Sequence, residues 1–232
     1  MTCRPLRRRR SATGGPARGG PTGERGARGD PRPDQARPAG PARPAPVRRD
    51  YRTADAPERR DARQLAQLLA ERLVDYRATV RHCSTGDIAQ TVADVLARRG
   101  VRRIVVAPAL DPTWLPHSDI DAVGDDPPLS PHALDHVDGV LTTCAVAVAE
   151  TGSLVLDTGA GQGRRMLTLV PDYLLVLVPS DAVVGTVPAA VARLEPTRPL
   201  TWISGPSATS DIDLNRVEGV HGPRTLDVVL AR

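Results

Sequence analysis

SGPSATSDIDLNRVEGVHGPR, residues 204–224, lies between two apolar runs, LTWIS at 200–204 and TLDVVL at 225–230. It gathers Ser204, Ser207, Thr209, Ser210, Asp211, Asp213, His221 and Arg224 among the turn formers Gly205, Pro206, Gly219, Gly222 and Pro223. This is the pattern of a polar loop held between two buried strands, where a rigid scaffold can fix binding groups. Plain turn chemistry with a helix N-cap accounts for the same residues equally well. The run predicts a strand at 200–204, a short helix over Ile212 and Leu214 to Val217 capped from Thr209, Ser210 or Asp211, and a strand that closes the sheet at 225–230.

Upstream, residues 145–179 form a second organised stretch, with strands expected at Leu154 to Leu156 and Leu174 to Val178. Ala145 to Ala149 is too short for periodicity to separate helix from strand. Glu150 follows it and opens a polar turn with Thr151 and Gly152; a partly buried carboxylate there would have a raised pKa and suit acid or base chemistry. Between the strands, TGAGQGRR carries Gly159, Gly161, Gly163, Arg164 and Arg165. Its spacing differs from the dinucleotide G-x-G-x-x-G, and an ordinary hairpin loop explains it too. Such a loop can present N–H groups to an anion, with arginine supplying charge. A helix capped by Ser180 or Asp181 is expected through Leu194.

Earlier in the chain, leucines at helical spacing within 58–78 predict an amphipathic helix opened by Asp55 and Pro57. A strand at Thr79 to Cys83, a helix from Ser84 or Thr85 to Gly100, and a continuous apolar strand at Arg102 to Ala107 follow. Residues 108–131 read as loops with a turn at Thr113 to Leu115 and a brief strand near Ile120 to Val123. Ser130 to His136 reads as a short helix, and Gly139 to Cys144 as a strand. His117 near Asp119, and His132 with His136, lack a further ligand at metal-site spacing. About seven strands alternating with helices define an α/β class with a mostly parallel sheet and flanking helices, and ligands bind such sheets at the ends of the strands.

Charge divides the chain. Residues 1–60 hold 16 Arg and 6 acidic residues, net +10, so the remainder is acidic at net −6 although the whole is +4. A basic nucleic-acid face on the globular part is therefore disfavoured. Residues 1–56, rich in Arg, Pro and Gly, are expected to be a disordered arm, with one domain spanning 57–232. The arm reads as a solvated extension, as translation from an unused upstream start, or as a phosphate-binding tail. No apolar segment follows Arg7 to Arg10, so an export signal is not expected, nor is a membrane span. Cys3, Cys83 and Cys144 are scattered without cluster spacing, which fits a reducing cytoplasm and a chain with no metal cluster of its own.

Taken together, AETGSLVLD at 149–157, GQGRRMLTLVPD at 161–172, SGPSATSDID at 204–213 and GVHGPR at 219–224 resemble the LUD-domain family, in its lactate-utilisation protein C branch. The resemblance implies a fold like that of sugar-phosphate isomerases, CoA-transferases and folate cyclo-ligases. It also implies a role in oxidising L-lactate to pyruvate beside iron-sulfur partner subunits. The family transfers no catalytic residues, so the site is an expectation from chemistry. Glu150 and His221 would handle a proton. Thr151, Gly152, Gly161, Gly163, Arg164, Arg165, Ser204, Gly205, Ser207, Thr209, Asp211 and Gly222 would hold a small anionic metabolite. The alternative is a free-standing enzyme acting on a small phosphorylated or carboxylated metabolite.

Overall fold

The structure, a computed structural model, describes residues 49–51, 53, 60–115, 120–206, 208–210, 216–218 and 221–232; of 208–210 and 216–218 only the backbone is described. The expected arm and the boundary at 57 thus lie almost wholly outside the described residues, as do His117, Asp119, Ser207 and Asp211.

The first helix, α1, spans Ala62–Asp75. It is opened by Asp61 rather than Asp55 or Pro57, because Asp61 and Gln64 form a reciprocal capping box at 2.8 and 3.0 Å. Strand β1, Thr79–Cys83, leads through a 3-10 turn into α2, Ile88–Arg99, which ends at left-handed Gly100. Strands β2, Arg103–Val106, β3, Asp121–Gly124, and β4, Gly139–Thr143, follow, with α3, Pro131–Asp135, between the last two. Next come β5, Val146–Val148, β6, Ser153–Leu156, and β7, Tyr173–Pro179. The chain continues through β8, Val183–Val184, α4, Val187–Arg193, and β9, Thr201–Ile203. A hairpin of β10, Ala208–Ser210, and β11, Arg216–Glu218, precedes β12, Thr225–Ala231.

Six strands form one sheet in the order β1-β12-β7-β4-β2-β3, every pair parallel. The α/β class and parallel sheet follow the sequence expectation, but the last strand does not close an edge. It inserts between β1 and β7, which buries β12 on both sides and suits its continuous apolar sequence. A second sheet, β8-β5-β6-β9, packs beside it. Alternation along β7 joins the layers. Leu174, Val176 and Val178 meet Leu65, Leu69 and Leu73 of α1 together with Ala147 and Leu154 of the second sheet. Leu175 and Leu177 meet Ile88, Val92 and Leu96 of α2 on the opposite face. The far side of the second sheet is covered by Ala190 and Leu194, in and just after α4. Each fully buried Leu contributes about 1.5–3 kcal/mol relative to exposure, which lets a core without Phe hold together.

Three local expectations are corrected. Val183 and Val184 form a strand, not the first turn of a helix: Thr186, whose hydroxyl accepts from Ala189 N–H, caps α4 two residues later. Residues 216–217 are extended in the β10–β11 hairpin, where a helix over 212–217 was expected; Asp211 to Asn215 are outside the described residues. The Gly159 to Gly163 loop is not a hairpin turn, because β6 and β7 belong to different sheets. The undecided segment at 145–149 is a strand, paired antiparallel with β6.

Candidate functional site

From β2 the chain runs outward to β3, whereas from β4 it runs the other way, to β7 and then β12. The neighbours β2 and β4 therefore flank a topological switch point, and the crevice at their carboxyl ends is where open α/β sheets bind ligands. The glycine loop sits there. Gly161 N–H donates to Pro108 O at 2.9 Å just after β2, and Gly161 O accepts from Thr143 N–H at 2.8 Å at the end of β4. Thr142 Oγ1 adds a bond to the same carbonyl at 3.0 Å. At the loop entrance, Asp157 Oδ1 accepts from Gly159 N–H at 2.9 Å and Oδ2 from Arg198 at 3.0 Å, while Asp157 N–H donates to Gln162 Oε1 at 2.6 Å.

This bonding corrects the expected role of the loop. The amides of Gly159, Gly161 and Gln162 are spent inside the protein, the last on Gly159 O, so they do not form an anion cradle. Gly161 has φ 74° and a Cβ there would stand 2.7 Å from Thr143 Cγ2, so glycine is required by the close approach.

The two arginines also part company. Arg164 grips buried Asp125 through two bonds of 2.6 and 3.0 Å and donates to Leu129 O at 2.5 Å. Burial pushes the Asp125 carboxyl up, but the Arg164 and Leu129 N–H hydrogen bonds and the Arg164 charge outweigh it and hold the group below the usual carboxylate range. Arg164 is committed to structure. Arg165 is exposed, and its guanidinium forms no ion pair with a described residue.

Two cavities meet at Arg165. The first, about 320 Å³, joins Arg165 to Ser204, Gly205, His221 and Gly222, with Trp202 and Leu169 as apolar walls. Ser204 Oγ lies 2.7 Å from Ser153 Oγ, which accepts from Thr151 Oγ1 at 2.9 Å, so Thr151 reaches this cavity only through a buried hydroxyl. Gly205, at φ 85°, abuts the end of α1: a Cβ would lie 2.8 Å from Tyr76 O. The second, about 630 Å³, lies at the switch point and is lined by Pro108, Ala109, Thr158, Gly159, Ala160, Gly163, Arg164, Arg165 and Pro199.

The remaining expected residues fall elsewhere. Glu150 stands exposed on the β5–β6 turn and lines neither cavity, which corrects the expectation of partial burial. Gly152 serves the same turn, at φ 61° with Arg72 backbone 3.0 Å from a would-be Cβ. Only the backbone of Thr209 is described, and Ser207 and Asp211 are outside the described residues. His132, in α3, and His136, at its C-terminal cap, stack at 4.2 Å and line neither cavity. Sequence reasoning passed over Asp125, Asp157 and Asp227. The Asp157-Thr158-Gly159 turn was a readable signal. Asp227 was hidden in an apolar strand, yet it takes two bonds from Arg99, at 2.9 and 2.6 Å, and one from Tyr173 OH at 3.1 Å.

A shared metal cluster does not fit the described cysteines. Cys83 ends β1 and Cys144 follows β4, three strand spacings or about 14 Å apart at ~4.8 Å each. Burial pushes the Cys144 thiol up to about 12 and raises Cys83 as well, so neither is a ready thiolate ligand. Among the described residues no three His, Cys, Asp or Glu are grouped to hold a metal ion, and no helix is long and apolar enough to cross a membrane.

Fold and site thus define an α/β protein with a parallel sheet and a crevice over its carboxyl edge. The LUD domain family matches residues 66–231, nearly the whole of this unit, and the chain belongs to that family. Within it the chain groups with the lactate utilization protein C type. It is 46% identical over 164 residues to "Lactate utilization protein C" of Deinococcus radiodurans, covering 69% of this chain and 76% of the relative. A protein of the same name from Halalkalibacterium halodurans is 24% identical, with 69% and 76% covered. The crystal structure of a DUF162 family protein from Deinococcus radiodurans superposes with a TM-score of 0.64 at 35% identity, over 75% of this chain and 99% of that one.

Proposed function

We propose that this protein takes part in the oxidation of L-lactate to pyruvate in the cytoplasm, as a subunit working with partners that carry iron-sulfur clusters. The observation that carries this reading is the 46% identity, across most of the α/β unit, to a protein named for lactate utilisation. The chemistry of the chain agrees with a division of labour. Oxidising a 2-hydroxy acid to a 2-keto acid releases two electrons and two protons. The described cysteines, far apart and held as thiols, do not suit a cluster that would take up those electrons. Partners supply that function, and this chain supplies an anion-binding crevice centred on Arg165, where the two cavities meet. Deleting the gene should abolish growth on L-lactate and leave growth on pyruvate unchanged. Undiminished growth on L-lactate would overturn the reading.

A second reading is favoured by the switch-point cavity, a location that serves catalysis in many free-standing α/β enzymes. On that reading the isolated chain would turn over a small phosphorylated or carboxylated metabolite without partners. Loss of all turnover on removal of the partners separates the two.

A further inference from the structure

We infer that the switch-point cavity binds a small monocarboxylate, with Arg165 as the residue that holds its carboxylate; the choice of acid rests on the lactate reading above. The cavity lies outside the carboxyl ends of β2 and β4, where the connections diverge. Its walls at Pro108, Ala109, Ala160 and Pro199 are apolar and suit a short hydrocarbon body. Of the three non-glycine residues with positive φ among the described residues, two, Ala109 and Thr158, both at 62°, also line it. Backbone held in that region costs on the order of 1–3 kcal/mol and persists where surrounding bonds over-determine it. Those bonds are present: Pro108 O is fixed by Gly161 N–H, and Asp157 O by Thr158 Oγ1 at 2.6 Å.

The charges decide between anions. Asp125 occupies Arg164 and Asp157 occupies Arg198, so each neighbouring arginine already has a buried or nearly buried carboxylate. Arg165 alone lines the cavity without an ion pair to a described residue. Arg165 is thus one uncompensated cation beside apolar walls, a charge that matches a monoanion, whereas a phosphate dianion calls for a second cation. One planar guanidinium matches one carboxylate in charge and in its pair of oxygens.

The test is calorimetric titration of the full chain with L-lactate, pyruvate and inorganic phosphate, repeated on Arg165→Gln, Arg165→Lys and Ala160→Leu. Saturable binding of L-lactate or pyruvate is expected, weakened about ten-fold or more in R165Q, in line with loss of a charged hydrogen-bond pair, and less in R165K. A160L, which fills the cavity and leaves the charge in place, should weaken it too. Absence of saturable binding by either acid, equal binding by R165Q, or phosphate binding tighter than both acids would overturn the inference. The gene deletion separates this from the lactate reading. Lost growth on L-lactate with no titration signal sinks the site alone. Intact growth with an Arg165-dependent titration sinks the lactate reading alone.

Discussion

Replacing Arg164 and Arg165 in turn by glutamine should give opposite results, although the two residues are adjacent and chemically identical. Arg164 is paired to a carboxylate whose side chain is 2% exposed, while its own is 31% exposed. Breaking a buried ion pair by removing one partner costs about 3–5 kcal/mol, because the other charge is left without compensation. Water reaches the guanidinium here, which puts R164Q near the lower figure, about 3 kcal/mol. For a domain of this size each kcal/mol moves Tm by roughly 2–4 °C, so R164Q should melt about 6–12 °C lower. R165Q removes an exposed side chain without an ion pair to a described residue and should stay within about 0.5 kcal/mol, or roughly 2 °C. Thermal unfolding followed by circular dichroism at pH 7, with urea titration as a check, reads both. A loss below about 1 kcal/mol for R164Q would refute the claim that the arginine is structural. An R165Q loss equal to that of R164Q would refute the claim that Arg165 is available for a ligand.

Other consequences are checked as simply. The Asp125 carboxyl is held low in the folded state, so its contribution is complete above the ordinary carboxylate value of about 3.9 and is lost as pH falls below it through the folded pKa. The stability gap between wild type and R164Q should therefore narrow as pH falls below about 3.9; a constant gap in urea titrations carried below that pH would contradict the assigned cause. Gly205→Ala should cost more than about 1 kcal/mol in urea unfolding, since φ 85° and the Tyr76 carbonyl both exclude a Cβ; an unchanged midpoint would show that the turn can relax. Cys144 should resist iodoacetamide at pH 8 in the native protein and react on unfolding, as mass spectrometry of the digested chain would show; native labelling would contradict its burial. Glu150→Gln should leave L-lactate oxidation unchanged, whereas His221→Ala should lower it. The reverse order in extracts would move the site to the β5–β6 turn.

The sheet was legible because its central strands are largely apolar: Arg102 to Ala107 and Leu174 to Val178 need no partner information to be recognised. The motif GVHGPR likewise announced the turn into the last strand. Strand order was not legible, since nothing local in TLDVVL says that it inserts between the first strand and Tyr173–Pro179. The expected helix after Thr209 rested on capping residues that serve turns equally well, and the backbone pairs 208–210 with 216–218 instead. For the site, proximity in sequence misled: Arg164 and Arg165 were grouped as one anion pair, and only the position of Asp125, 39 residues earlier, separates them. The glycine loop was singled out by its glycine spacing as a set of N–H groups for an anion, but the amides of Gly159, Gly161 and Gln162 bond inside the protein. Arg165, Ser204, Gly205, His221 and Gly222 were expected in one pocket and line one cavity, which is as far as residue chemistry alone could reach.

The most direct test is pyruvate formation from L-lactate in an extract of the deletion strain to which the purified full chain is added. The account predicts no L-lactate-dependent pyruvate before addition and recovery of the wild-type rate after it, with R165Q failing to restore the rate despite a normal fold. Undiminished pyruvate formation in the extract lacking this chain would contradict it.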